Sequence, residues 1–244
     1  MILLPQAAFS APDVRWAALV PVLIVLGTAV LSVLVEAFAP VRARRPIVIG
    51  LALFATGAAA AVLALRWTTV LAAPASLGGY IEDPLTVGAQ FVLAIIGFLS
   101  VLVMADRTRV GDGSFAAQPS DRPGSAAEEL SEAKGYQRSE VFPLALFSLG
   151  GMMVFPAADN FVALFVALEV MSLPLYVLAA TARRRRQLSH EAALKYFVLG
   201  AFSSAFLLLG SALLYGATGF VSYSSVAQVM EYTRGAGTGF IMPA

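Results

Sequence analysis

Glu169 lies ten residues into a run, 160–182, that holds no other charge. An acid placed at the centre of a membrane span costs about 2.5–3.5 kcal/mol on insertion scales, so it faces the interior of a bundle and either pairs with a cation, exchanges protons or hydrogen-bonds to another helix. The residue alone leaves those alternatives open. Five residues on, Pro174 has no amide hydrogen to give, which frees a backbone carbonyl near Glu169 and predicts a local irregularity able to admit water. Lys195 follows Ser189, a residue type suited to capping a helix start, and would then lie about 9 Å along the next helix. It sits four residues after Glu191, the spacing of an ordinary ion pair on a helix surface. Taken by themselves these residues favour an interfacial lysine whose ammonium reaches up to the headgroups. Ser203 and Ser204, between Gly200 and Gly210, are small residues that let helices approach closely, with water-holding by the two hydroxyls as the alternative. The chemistry on offer is proton movement. The chain has no cysteine and one histidine, His190, which excludes disulfides, iron–sulfur clusters and bis-histidine haem, and no metal or cofactor site is expected.

The elements that carry these residues are membrane spans. The 244 residues are 59% hydrophobic and 13% charged, with a mean hydropathy of +0.82, about half the charge of a soluble domain. A net charge of +1 gives nucleic acid no electrostatic footprint. Backbone polar groups find no water in a bilayer, so helices or closed barrels alone can cross it, and about 20 apolar residues suffice for a helix. Six runs read as spans: 16–35, 46–65, 84–105, 141–158, which is shorter and contains Pro143 and the Gly150–Gly151 pair, 160–182 and one from about 189 whose uncharged part is 196–220. The expected fold is all-α, a polytopic bundle of six spans. The opening MILLPQ has no basic residue ahead of its apolar stretch, unlike a cleaved signal peptide. Twelve lysines and arginines fall in the loops after runs one, three and five, including the block 183–186, against three on the other side, Arg15, Arg66 and Arg234. Basic loops stay cytoplasmic, which puts the N-terminus outside.

Four regions follow: a three-helix segment over 1–105, a mostly disordered cytoplasmic loop over 106–140, helices four to six over 141–220, and an interfacial or incomplete tail over 221–244. Within the loop, Ser125 and Glu128 have the spacing of a capping box and Gly135 that of a C-cap, predicting a surface helix at 126–134. A second short helix is expected around 225–232.

Two stretches are specific. LFVALEVMSLPLYVL (164–178), followed by ARRRRQLSHEAALKYFVLGAFSSAFLLLGSALLYGATG (182–219), resembles the N subunit of bacterial NADH–quinone oxidoreductase, respiratory complex I, more than the related antiporter-like subunits or sodium/proton antiporters. The preceding SEVFPLALFSLGGMMVF also fits. The resemblance implies the first half of a fourteen-helix subunit with inverted five-helix repeats, in a bacterial plasma membrane. Its partners would be other complex I subunits, above all neighbouring antiporter-like ones, with NADH, flavin, iron–sulfur clusters and quinone carried elsewhere. The family's fifth-helix glutamate falls on Glu169 and its sixth-helix lysine on Lys195, which turns the reading of Lys195 from interfacial to functional. Glu191, Pro174, Ser203 and Ser204 become supporting residues of a proton path. Two other functions stay in view: a subunit of a cation/proton antiporter, and a non-pumping membrane scaffold.

Overall fold

The computed structural model describes residues 15–73, 75–76, 78–105, 125–126, 129–130, 139–181 and 186–235. Its elements are α1 (Trp16–Phe38), α2 (Val41–Ala72), a two-residue antiparallel pairing of β1 (Ala75–Ser76) with β2 (Ile81–Glu82), α3 (Pro84–Ala105), α4 (Val141–Val154) continued by a 3-10 turn (Phe155–Ala157), α5 (Phe161–Ala180), α6 (Arg186–Thr218) and α7 (Tyr223–Gly235). This is a multi-pass, all-α membrane bundle. Among the described residues, five helices are long and apolar enough to cross a membrane; the fourth run instead forms a shorter apolar helix, Val141–Ala157. At about 1.5 Å per residue it reaches roughly 25 Å, short of a 30 Å hydrocarbon core, because the backbone becomes extended at Ala158, where it bridges Tyr80.

The helix ends have local causes. Asp83 caps α3, its Oδ1 accepting from the Thr86 amide at 2.7 Å, with Pro84 as first helical residue, where a missing N–H costs nothing. Asn160 caps α5 by accepting from the Ala163 amide at 2.7 Å. Gly219, at φ +73°, ends α6 in the left-handed region. Several ends differ from expectation: α1 continues to Phe38 and α2 already begins at Val41. α6 begins at Arg186, so Ser189 lies inside the helix rather than at its cap. Arg66, counted above among the loop residues, lies within α2. Of the predicted 126–134 helix, Ala126, Glu129 and Leu130 are helical, with the Glu129 amide bonded to the Ser125 carbonyl; Glu128 and Gly135, like most of 106–140, lie outside the described residues, as do residues 1–14 and 183–185. The 225–232 helix is longer than expected, as α7.

The core lies among α1, α2, α3 and α4, where Val25, Val48, Leu63, Val87, Phe142, Leu146 and Met153 are buried. α5 packs on α4, and α6 packs on α5 and touches α7. At the end holding the N-termini of α1, α3 and α5, three connections are tied by main-chain bonds. Tyr80 bridges Ala158, Asn160 bridges Ser222, and the Phe161 and Tyr223 amides donate to Val221 and Asp159 carbonyls. Glu82 accepts two bonds at 2.8 Å from the Arg66 guanidinium. Gln90, buried in α3, donates to the Tyr80 hydroxyl at 2.9 Å and to the Met153 carbonyl at 2.8 Å. Burial holds the Tyr80 phenol above its usual range, the Gln90 bond opposing it. The result is a braced platform from which α5 and α6 depart.

Candidate functional site

Glu169 is the ninth residue of the twenty in α5, about 12 Å from its start and close to its middle. It is half-buried. The two residues after it, Val170 and Met171, meet α4 at Gly151 so closely that a Cβ there would fall inside the Met171 backbone. This close α4–α5 approach fixes the depth of the carboxylate. Its direction follows from helical periodicity. Tyr176, two turns later, points at α6, stacking edge-on against Tyr196 and Phe197 and seated over Gly200. Seven residues at 100° each return to within about 20° of the same face, so Glu169 shares that stripe with Tyr176 and, one turn on, buried Ser172.

Opposite it, α6 runs antiparallel. Gly200 lies at the level of Tyr176, which sets Glu169 level with the neighbourhood of Leu207, between Ser204 and Ser211. Ser204 is buried and its hydroxyl donates to the Gly200 carbonyl at 2.8 Å; that of Ser211 donates to Leu207 at 2.7 Å. Ser203 is exposed and lies off this stripe. Ser211 was not singled out in the sequence, although its seven-residue spacing from Ser204 places both on one helical face. Pro174 is buried inside an α5 that stays helical through it.

Lys195 is not brought to Glu169. It lies five residues before Gly200 on the far side of the Tyr176 contact, which separates the two by about 18 Å along the bundle. It is exposed, and its ammonium binds Glu191 at 2.5 Å. Its depth differs too: counted from Arg186, it lies about 13 Å into a helix about 50 Å long. Among the described residues Glu169 has no hydrogen bond or ion pair.

Sequence reasoning missed a second acid. α1 runs three residues past the expected end of its span, and this carries Glu36 onto the face already holding Val25, Ala29 and Ser32. Among the described residues, one Glu36 carboxylate oxygen and the Ser32 hydroxyl are buried without a hydrogen-bond partner. The signal was legible as a three- and four-residue spacing continued from Ser32. Among the described residues no group of three or more histidines or acids is placed to hold a metal.

Comparison with known proteins gives this arrangement its relatives. Residues 158–242, covering α5 to α7, match the family described as "NADH:quinone oxidoreductase/Mrp antiporter, TM". NADH-quinone oxidoreductase subunit N of Beutenbergia cavernae is 49% identical over 237 residues, 93% of this chain and 45% of that protein. The subunit N of Mycobacterium tuberculosis is 44% identical over 237 residues, 90% of this chain and 45% of its own length. The chain therefore spans about half the length of the curated relatives it matches. Among solved structures, respiratory complex I from Thermus thermophilus has a chain 26% identical, with a TM-score of 0.61, 88% of this chain and 43% of that one aligned. An archaeal membrane-bound sulfane sulfur reductase shares the fold, at 21% identity and a TM-score of 0.66, over 88% of this chain and 40% of that one.

Proposed function

For a chain related over nine-tenths of its length to subunit N of NADH-quinone oxidoreductase, we propose a place in the membrane arm of such a complex, carrying part of a proton path coupled to NADH oxidation and quinone reduction. The observation that carries the reading is the position of Glu169: an acid at mid-helix, aimed at the next helix, with no fixed counter-charge among the described residues. A carboxyl so placed can take up a proton from one side and release it to the other, whereas a permanently paired one cannot. Its neighbours Ser172, Ser204 and Ser211 line the α5–α6 seam with hydroxyls that accept and donate. Lys195 works from the other half of the seam. Because about 18 Å separates it from Glu169, the two communicate through intervening hydroxyls and water and by the field of the lysine charge, which Glu191 partly neutralises. Pro174 keeps a backbone carbonyl available beside the path, and Ser203 supports it from the outer face of α6.

The redox chemistry belongs to partner subunits holding flavin, iron–sulfur clusters and quinone, with antiporter-like membrane subunits as neighbours. The setting is the bacterial plasma membrane. All six apolar helices, the short α4 among them, cross it, with the N-terminus outside, as the twelve-to-three distribution of basic residues supports. The chain divides into a three-helix part over 1–105, a cytoplasmic loop over 106–140, a channel-forming part over 141–220 and a tail over 221–244. A second reading, a subunit of a cation/proton antiporter, draws on the family description, which names both kinds of protein. On a native gel of gently solubilised membranes, the chain should migrate with a large assembly that stains for NADH dehydrogenase activity. Migration in a smaller assembly without that activity would instead favour the antiporter.

A further inference from the structure

The α5–α6 seam is polar toward both ends and aromatic between them. On the Glu169 side stand the buried Ser172 and Ser204; on the other, exposed Lys195 holds Glu191. Three rings separate the two polar stretches. Tyr176 of α5 is buried and meets Tyr196 and Phe197 of α6 edge-on, with ring centroids 4.8 and 5.6 Å away. The hydroxyl end of its ring fills the notch at Gly200, where an added Cβ would fall inside the phenol. Protons cross such a seam along hydrogen-bonded hydroxyls and water, and each water needs room as well as polar partners. At the level of Gly200 the phenol occupies the space that a water would need. The about 18 Å between Lys195 and Glu169 is therefore interrupted at one place, by one side chain.

We propose that Tyr176 is a gate in the proton path: with its ring in the Gly200 notch Lys195 and Glu169 are kept apart, and protons pass between them when the ring swings out. The inference rests on the reading of Glu169 as a proton carrier. α5 is built so that the ring can move while the carboxylate stays. Pro174, two residues before Tyr176, has no amide hydrogen for the Val170 carbonyl, and helices bend most readily at proline. On the Glu169 side of that proline, α4 holds the helix, with the backbone of Val170 and Met171 against Gly151. On the Tyr176 side, Leu175 and Leu178 border a cavity of about 240 Å³, which leaves that part of α5 room to shift. Bending at Pro174 therefore carries Tyr176 out of its notch without displacing Glu169. The ring, rather than its hydroxyl, is the working part, because the ring makes the contacts that close the seam.

The test uses sealed membrane vesicles holding the chain in its natural assembly, with every variant normalised to assembled complex. Two quantities are read: pumping driven by NADH, and the passive proton leak after an acid pulse without NADH. Tyr176→Ala removes the ring and should raise the leak at least threefold. Tyr176→Phe keeps the ring and should restore the barrier. Gly200→Ala puts a carbon where the phenol sits, so it should open the same leak from the opposite helix and add little to Tyr176→Ala. This second variant keeps the test decisive if the first fails to assemble. Adding Glu169→Gln to Tyr176→Ala should bring the leak back toward the native level, since the path beyond the gate is then blocked. Loss of pumping in Glu169→Gln with no leak in Tyr176→Ala or Gly200→Ala would overturn the gate and leave the proton carrier standing. Unimpaired pumping by Glu169→Gln would remove the carrier and the gate with it. A leak that persists after Glu169→Gln is added would mean a disturbed bundle, and an equal leak in Tyr176→Phe would place the barrier in the hydroxyl; either overturns the ring gate.

Discussion

Arg66 and Glu82 meet at the platform end of the bundle, where the α2–α3 hairpin closes. Their side chains are 21% and 6% exposed, so the pair has given up most of its water. Breaking such a pair from one side leaves a charge without a partner, which costs about 3–5 kcal/mol, whereas replacing both members with apolar groups is often close to neutral. Glu82→Leu should therefore destabilise the solubilised protein by about 3 kcal/mol, at the low end because Arg66 keeps some access to solvent. The double variant Arg66→Met/Glu82→Leu should recover most of that. Denaturant titration in mild micelles measures both, and a silent single variant would show that the pair holds nothing together. Neither residue was legible as a pair in the sequence. Arg66 reads as a loop charge until α2 is seen to continue past 65, and sixteen residues with a two-residue pairing between them give no periodic cue. The mid-membrane acid was legible, because an unbroken apolar run makes one charge conspicuous. Glu36 was not, since it sits where a run ends and charges are ordinary.

Helix-scale behaviour turns on where backbones touch. At the α4–α5 crossing a Cβ on Gly151 would meet backbone atoms of Val170 and Met171, and backbone cannot swing aside as a side-chain tip can. Alanine there must push the helices apart, an overpacking cost of about 1–3 kcal/mol, and would move the carboxylate of the adjacent Glu169. Gly27 and Gly50 meet nothing within 4 Å, and replacing a helical glycine by alanine gains up to about 1 kcal/mol of helix propensity. Gly151→Ala should thus lower the thermal midpoint by several degrees while Gly27→Ala leaves it level or raises it. The reverse order would mean that α4 and α5 do not cross as described. Apolar runs revealed the existence of each helix in the sequence, but hydropathy reports only the part that lipid touches. It cannot register the extra turns at the starts of α2 and α6, which are rich in charge, whereas the shortness of α4 was already visible in the run 141–158.

At the scale of the molecule, a braced bundle of α1 to α4 carries two outlying helices, and the seam between those two is where the proposed proton path runs. α5 and α6 bury little of their surface among the described residues: 11% and 6% of their most apolar windows, against 39% for α2. The sequence made α5 and α6 recognisable through the motif around Glu169 and Lys195, but it gave no distance between the two, which the structure sets at about 18 Å along the bundle. Linear spacing says nothing of depth when the partners run on antiparallel helices. The separation makes Glu169 the residue on which the proton reading rests. Glu169→Gln keeps shape and hydrogen bonding but cannot change charge; Glu169→Asp keeps a titrating group one methylene shorter. Proton pumping by sealed membrane vesicles, normalised to assembled complex, compares the two. A proton carrier predicts that the Gln variant loses most of its pumping, tenfold or more, while Asp retains a measurable share. Pumping by Gln equal to or better than that by Asp would contradict it, leaving Glu169 as a neutral hydrogen-bonding link between helices.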